Sequence, residues 1–221
     1  MRRITLFILV AAILIIPGSA LGVLISNQSV FFARPMLSTS SPGGMYRVTM
    51  LGKSDMPSVP ILMHNVWFSV DKNDTPMINE KKFHSGDWFD PSFALLYPNQ
   101  SWPAENVLHF YRDGYFQEGK PATALITNTS GKTIKYLRVS SLDVYLLFDL
   151  SPGAKVELSL SPPRSSTMFL SVEGEFLDGA PVAKIAENFK TPHQPAGPVD
   201  YSIRITDSGV SVDSPSFEVL R

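Results

Sequence analysis

The stretch Lys155-Val156-Glu157-Leu158-Ser159-Leu160 decides the fold, because apolar Val156, Leu158 and Leu160 alternate with polar Lys155, Glu157 and Ser159. A strand sends successive side chains to opposite faces, so period two with one apolar face is a half-buried β-strand. Tyr201-Ser202-Ile203-Arg204-Ile205-Thr206 repeats the pattern, placing Leu158 and Ile203 in one shared core. Leu142, Val144, Leu146 and Phe148 form a third such face, and Met168, Leu170 and Val172 a fourth. Ser130-Gly131, Pro152-Gly153, Asp178-Gly179 and Ser208-Gly209 punctuate these runs, glycine supplying the positive φ of tight turns. Thr191 to Pro198, with three prolines, reads as a loop. Short strands at this spacing, without helical periodicity, predict a mainly β fold: an immunoglobulin-like or related antiparallel β-sandwich over residues 120–221.

Upstream, residues 27–119 form an aromatic-rich, β-containing region of less regular pattern. Met45 to Leu51 and Ile61 to Val70 read as strands, and Met36 to Gly44 as a Ser/Pro/Gly linker or loop. Asp90-Pro91 before Ser-Phe-Ala-Leu-Leu-Tyr and Pro98 carries a cap, a first-turn proline and a stop, the marks of a short helix. For Val107 to Gln117, Asp113-Gly114 between apolar runs favours a hairpin over a second helix.

The chain's start sets its address. Arg2 and Arg3 precede an uncharged stretch from Ile4 to Ala33 whose densest part, Ile4 to Ile16, has Thr5 as its only polar member. Residues 1–26 are therefore a transmembrane anchor or a signal peptide. Gly18 and Ala20 fit cleavage after Ala20. Residues 4–25, at 1.5 Å per residue, give roughly 33 Å, enough for the hydrocarbon core of a membrane. Cleavage would leave Leu21-Gly-Val-Leu-Ile25 at a new terminus, which favours the single-pass anchor. The two arginines hold the start in the cytoplasm and place the C-terminal domain outside it. With 19 Lys+Arg against 20 Asp+Glu in the whole chain, and two arginines but no acid before residue 27, the exported part holds 17 basic and 20 acidic residues, about −3. This balance excludes a nucleic-acid partner. The absence of cysteine removes disulfides, thiol nucleophiles and cysteine-held metals, and points to a bacterial periplasm rather than disulfide-rich secretion. Four Asn-x-Ser/Thr sites, at Asn27, Asn73, Asn99 and Asn128, point weakly the other way.

Candidate chemistry is sparse. Half of the aromatics lie between Trp67 and Phe116, including all three tryptophans, Trp67, Trp88 and Trp102. Such rings either stack on a sugar or anchor a partner protein, or they build a small core. His84-Ser-Gly-Asp87-Trp-Phe-Asp90, with His64 and His109 elsewhere, supplies metal-ligating groups without the spacing of an established motif, and turn and cap roles explain His84, Asp87 and Asp90 better. No Gly-x-Ser-x-Gly elbow and no phosphate loop is present. The expectation is a non-catalytic, membrane-anchored extracytoplasmic protein that needs no cofactor or metal. It binds a protein partner in the membrane or envelope, as an accessory or assembly subunit of a complex. The alternatives are a carbohydrate- or small-ligand-binding module using the aromatic segment, and a metal-dependent hydrolase around His84 and Asp87.

Overall fold

In the computed structural model, which describes residues 34–54, 63–83, 99–111, 121–161, 167–190 and 201–213, both deciding stretches are strands. In chain order the strands are β1 (Arg34–Ser40), β2 (Tyr46–Ser54), β3 (Met63–Lys72), β4 (Thr75–Phe83), β5 (Asn99–Ala104), β6 (Val107–Tyr111) and β7 (Ala122–Asn128). They continue with β8 (Ile134–Ser140), β9 (Val144–Leu150), β10 (Lys155–Leu160), β11 (Thr167–Phe176), β12 (Pro181–Lys190), β13 (Tyr201–Thr206) and β14 (Gly209–Asp213). The fold is mainly β, and the described residues contain no helix. The N-terminal segment 1–26, the helix expected after Asp90 and the loop expected at 191–198 lie outside the described residues.

Three sheets result, in the orders β1-β2-β3-β4, β12-β11-β8-β9-β6-β5 and β10-β7-β13-β14. The six-stranded sheet is central, with one core on each face. The first core joins it to the β10-β7-β13-β14 sheet through Leu137, Leu147, Val172, Leu158, Ile126 and Ile203. The second joins its other face to the β1–β4 sheet through Phe110, Tyr136, Phe148, Tyr46, Met50 and Phe68. Strands from both sides of residue 119 therefore share one sheet, with β5 and β6 continuing the row begun by β8, β9, β11 and β12.

Coverage on both faces explains why β9 departs from simple alternation. Val144, Leu146 and Phe148 fill the second core as one apolar face, but Tyr145 and Leu147 between them fill the first. A continuous apolar run such as Val-Tyr-Leu-Leu-Phe is what a doubly covered strand requires. Beyond Phe148 the facing inverts. Asp149 takes a left-handed φ of 50°, and Leu150, which should share the side of Phe148, packs in the first core instead.

Other expectations need correction. The linker expected over Met36–Gly44 is largely β1, paired antiparallel with β2 through Leu37↔Met50 and Thr39↔Val48. Only the turn at its end is loop, closed by Ser41 N–H to the Tyr46 carbonyl at 2.8 Å and by Gly44 at φ 75°. The pairings are antiparallel except β13 with β7, which run parallel in the register Ile203↔Ile126. β6 is a strand paired with β5 on one side and β9 on the other, and Tyr115–Gln117, the other arm of the expected hairpin, lie outside the described residues. The β3–β4 hairpin turns on Asn73-Asp74, both left-handed at φ 49° and 58°, the two-residue geometry that asparagine and aspartate tolerate best after glycine.

Candidate functional site

The tryptophans do not converge. Trp67 sits on β3 between Val66 and Phe68, which point into the second core, so its ring points away from that core. It is nevertheless only 5% exposed and offers no open face for stacking. Trp102, on β5, is half-buried against the second core, 6.3 Å from the Phe148 ring, and its indole N–H donates to Thr39 Oγ1 at 3.0 Å. Trp88 lies outside the described residues. Two other described members of the aromatic segment are packing: Phe68 meets Tyr136 edge to face at 5.6 Å, and Phe110 is fully buried.

His84, Asp87, Asp90 and His193 fall outside the described residues, as does the side chain of His64. Among the described residues no group of three or more potential ligands could hold a metal ion. Asn128, part of a glycosylation-like triplet, is fully buried and donates its amide to the carbonyls of Lys132 and Leu150. It is a structural asparagine.

Charged groups concentrate where the β1–β4 sheet meets the central sheet. The Glu105 carboxylate, on the β5–β6 turn, accepts hydrogen bonds from Ser41 Oγ, from Gly43 N–H at 2.6 Å and from Met45 N–H at 2.9 Å, which hold its pKa below the usual carboxylate range. Asp149 accepts from Tyr46 Oη at 2.8 Å and from Lys72 Nζ at 2.5 Å. Burial, then the bond to Asp149, pushes the Tyr46 phenol well above its ordinary range, so it remains a neutral donor. Lys81 of β4 reaches Glu175 of β11, which also binds Lys135 at 3.3 Å. Burial alone would raise the Glu175 carboxyl, but the bonds to Lys81 and Lys135 together lower it. Beside them, Arg138, almost fully buried, pairs with Glu173 at 2.9 Å.

The most chemically distinctive group lies at the other core, where β6, the β8–β9 hairpin and the end of β10 meet. His109 is cross-strand partner of Tyr145, and its imidazole stacks on that ring at 4.1 Å with only 2° between planes. Tyr111 stacks nearby at 4.9 Å. His109 Nε2 lies 3.5 Å from Asp143 Oδ2, and the Asp143 side chain is 2% exposed. The same carboxylate oxygen accepts the Ser161 N–H at 2.9 Å, and Tyr145 Oη donates to the Ser159 carbonyl at 2.5 Å. Burial, with the Asp143 charge adding to it, keeps the Tyr145 phenol protonated far above neutral pH. The sequence alone named His109 only as a stray histidine and missed Asp143 and Tyr145. The signal available was an acid set immediately before the apolar run of β9.

Comparison of the chain with protein-family models, with curated proteins and with solved structures finds no match.

Proposed function

We propose that the chain is a non-catalytic, membrane-anchored extracytoplasmic protein that works by binding another macromolecule, as an accessory or assembly subunit of an envelope membrane complex. The observation that carries this reading is Arg2-Arg3 followed by the uncharged stretch to Ala33. It supports a single pass through residues 4–25, with the β portion on the periplasmic side. That portion is an immunoglobulin-like or related sandwich with a further sheet laid on it. A protein partner is favoured over a carbohydrate by where the described tryptophans go. Trp67 is buried and Trp102 is bonded to Thr39, whereas Phe169, Leu177 and Met45 remain exposed as large apolar side chains able to anchor a contact.

The test is crosslinking in intact cells followed by capture of the full-length chain from the membrane fraction, beside a reporter fused after Arg221. A discrete crosslinked protein and reporter activity outside the cytoplasm are the expected results. Cytoplasmic reporter activity would overturn the address. Release by carbonate washing with a new N-terminus at Leu21 would replace the anchor by a cleaved signal.

A further inference from the structure

β10 ends the β10-β7-β13-β14 sheet, and among the described residues it pairs only with β7, without a bulge. The Ala154 carbonyl accepts the Asn128 N–H of β7 at 3.0 Å, so by the alternation of an antiparallel pair Val156 and Leu158 also turn their backbone groups to β7. Lys155, Glu157 and Ser159 turn theirs outward. Tyr145 Oη takes the Ser159 carbonyl and Asp143 the Ser161 N–H, which closes the end of the edge and leaves the N–H and C=O groups of Lys155 and Glu157 open to another strand.

The other edges are closed or bent. β14 lies against β12, β1 is tied to β5 by the Trp102–Thr39 bond, and β4 is bulged against β3, with Glu80 left-handed at φ 44°. β10 also has a floor beyond it. Its end is bonded to Tyr145 and Asp143 at β9, and the central sheet runs on past β9 by two strands, β6 and β5. Strands of a sheet lie about 4.8 Å apart, so a strand added to β10 is laid over β6, whose Val107 and His109 face that side.

Lys155 and Glu157 are exposed on the outer face, and Val156 between them packs, partly buried, on the first core. Exposed edge charges turn unrelated strands away. They also specify one that fits, because opposite charges directly across an antiparallel pair attract. Resting on the reading that the chain binds another protein, we propose that β10 takes up an extended segment of that partner as an added antiparallel strand. The segment reads base, apolar, acid from its N-terminal end, with the base opposite Glu157, the apolar residue beside Val156 and the acid opposite Lys155. β10 of a second copy has this sequence, but pairing the two edges about a two-fold axis would bring the copy's central sheet into the place of β6 and β5.

The experiment is photocrosslinking in intact cells with a photoreactive residue at Ser159 of the full-length chain, exposed on the outer face of β10, and at Ser211, exposed on β14, as the control. Glu157→Pro removes an outward N–H and no bond to β7, and thermal melting checks its fold. Where it unfolds, Lys155→Pro, at the first residue of the strand, takes its place. The expected result is an adduct with another protein from Ser159 and not from Ser211, mapped by mass spectrometry to a base-apolar-acid segment and about fivefold weaker with the proline. Exchanging the charges, Lys155→Glu with Glu157→Lys, should weaken it about three- to tenfold, as two screened cross-strand pairs turn repulsive. An adduct that survives the proline and the exchange, or one formed with a second copy of the chain, overturns the added strand. So does the absence of an adduct at Ser159 while general crosslinking still captures a partner, a result that leaves the binding reading standing. No partner by either route sinks both.

Discussion

The two cores lie on opposite faces of one sheet and are built differently. The first is mainly aliphatic, with Ile126, Leu137, Leu147, Leu158 and Ile203 fully or almost fully buried, and the strands that close it alternate cleanly. The second is rich in aromatic rings, Tyr46 stacking on Phe148 at 5.3 Å and Phe68 meeting Tyr136, and its rim is fastened by Glu105, Asp149 and the Lys81–Glu175–Lys135 group. The β10-β7-β13-β14 sheet is thus held mainly by area, with the Tyr145–Ser159 and Asp143–Ser161 bonds at one end, and the β1–β4 sheet by a few large rings and directed bonds. Aliphatic burial is non-directional and shared among many side chains. Removing one ring from the second core removes a larger share of what holds its sheet.

The largest effect should come from a charge placed in the first core. Leu158→Asp and Ile203→Asp each bury a carboxylate with no partner, at a cost of about 4 kcal/mol or more. Chemical denaturation should show no cooperative transition, and amide exchange should show both cores open, because the central sheet they share has lost its support. Protection retained in β2 and β3 would show that the second core stands without the first.

Phe148→Ala tests the converse. Phe148 is fully buried in the second core, and truncating such a ring costs about 3–5 kcal/mol. The structure predicts a local loss, with exchange rising in β2, β3 and β4 while β7, β10 and β13 keep their protection, since the first core is untouched. Equal loss in both sets of strands would make the two cores one cooperative unit.

This asymmetry also separates what the sequence discloses from what it conceals. Lys155–Leu160 and Tyr201–Thr206 are readable because each strand buries one face, so polarity records orientation residue by residue. β9 is covered on both faces and its polarity records only burial, so its second face goes unread. β1 hides behind Pro35 and a Ser-Thr-Ser sequence that composition assigns to loop, while its pairing with β2 and the seating of Leu37 on the second core make it a strand. The aromatic segment is readable as either platform or core, and seating in the second core settles it for Phe68 and Phe110. The meeting of His109 with Asp143 depends on β6 pairing with β9, a long-range register that no local pattern specifies.

Acid should bear on the second core's rim more than on the first core. The Glu175 carboxyl is lowered in the folded protein, so its contribution is present above the unfolded value of about 4.3 and is lost as pH falls through the folded one. Thermal unfolding between pH 5 and pH 3 should therefore show a drop that shrinks in Lys81→Ala, which removes the partner contributed by the β1–β4 sheet. The difference should stay well under about 1 kcal/mol, because Lys81 is nearly half exposed and solvent screens the pair. An identical drop in both proteins would show that this ion pair does not hold the sheet.

The smallest effect is predicted three residues from the largest. Lys155 opens β10 on the side opposite Leu158 in the strand's alternation, and it is exposed. Lys155→Asp puts a carboxylate in water, not in the core, so there is no desolvation cost. The new charge meets Glu157, two residues on and on the same outward side, but two solvated carboxylates at that spacing repel weakly and salt screens them further. The change in unfolding free energy should be about 0.5 kcal/mol or less. Urea denaturation of Lys155→Asp beside Leu158→Asp measures the contrast directly, since both introduce the same side chain into the same strand. A cooperative transition kept in Lys155→Asp and lost in Leu158→Asp follows from one face being buried and the other wet. If the two variants were destabilised equally, the alternation at 155–160 would not reflect a half-buried strand, and the assignment of the first core to this sheet would fail with it.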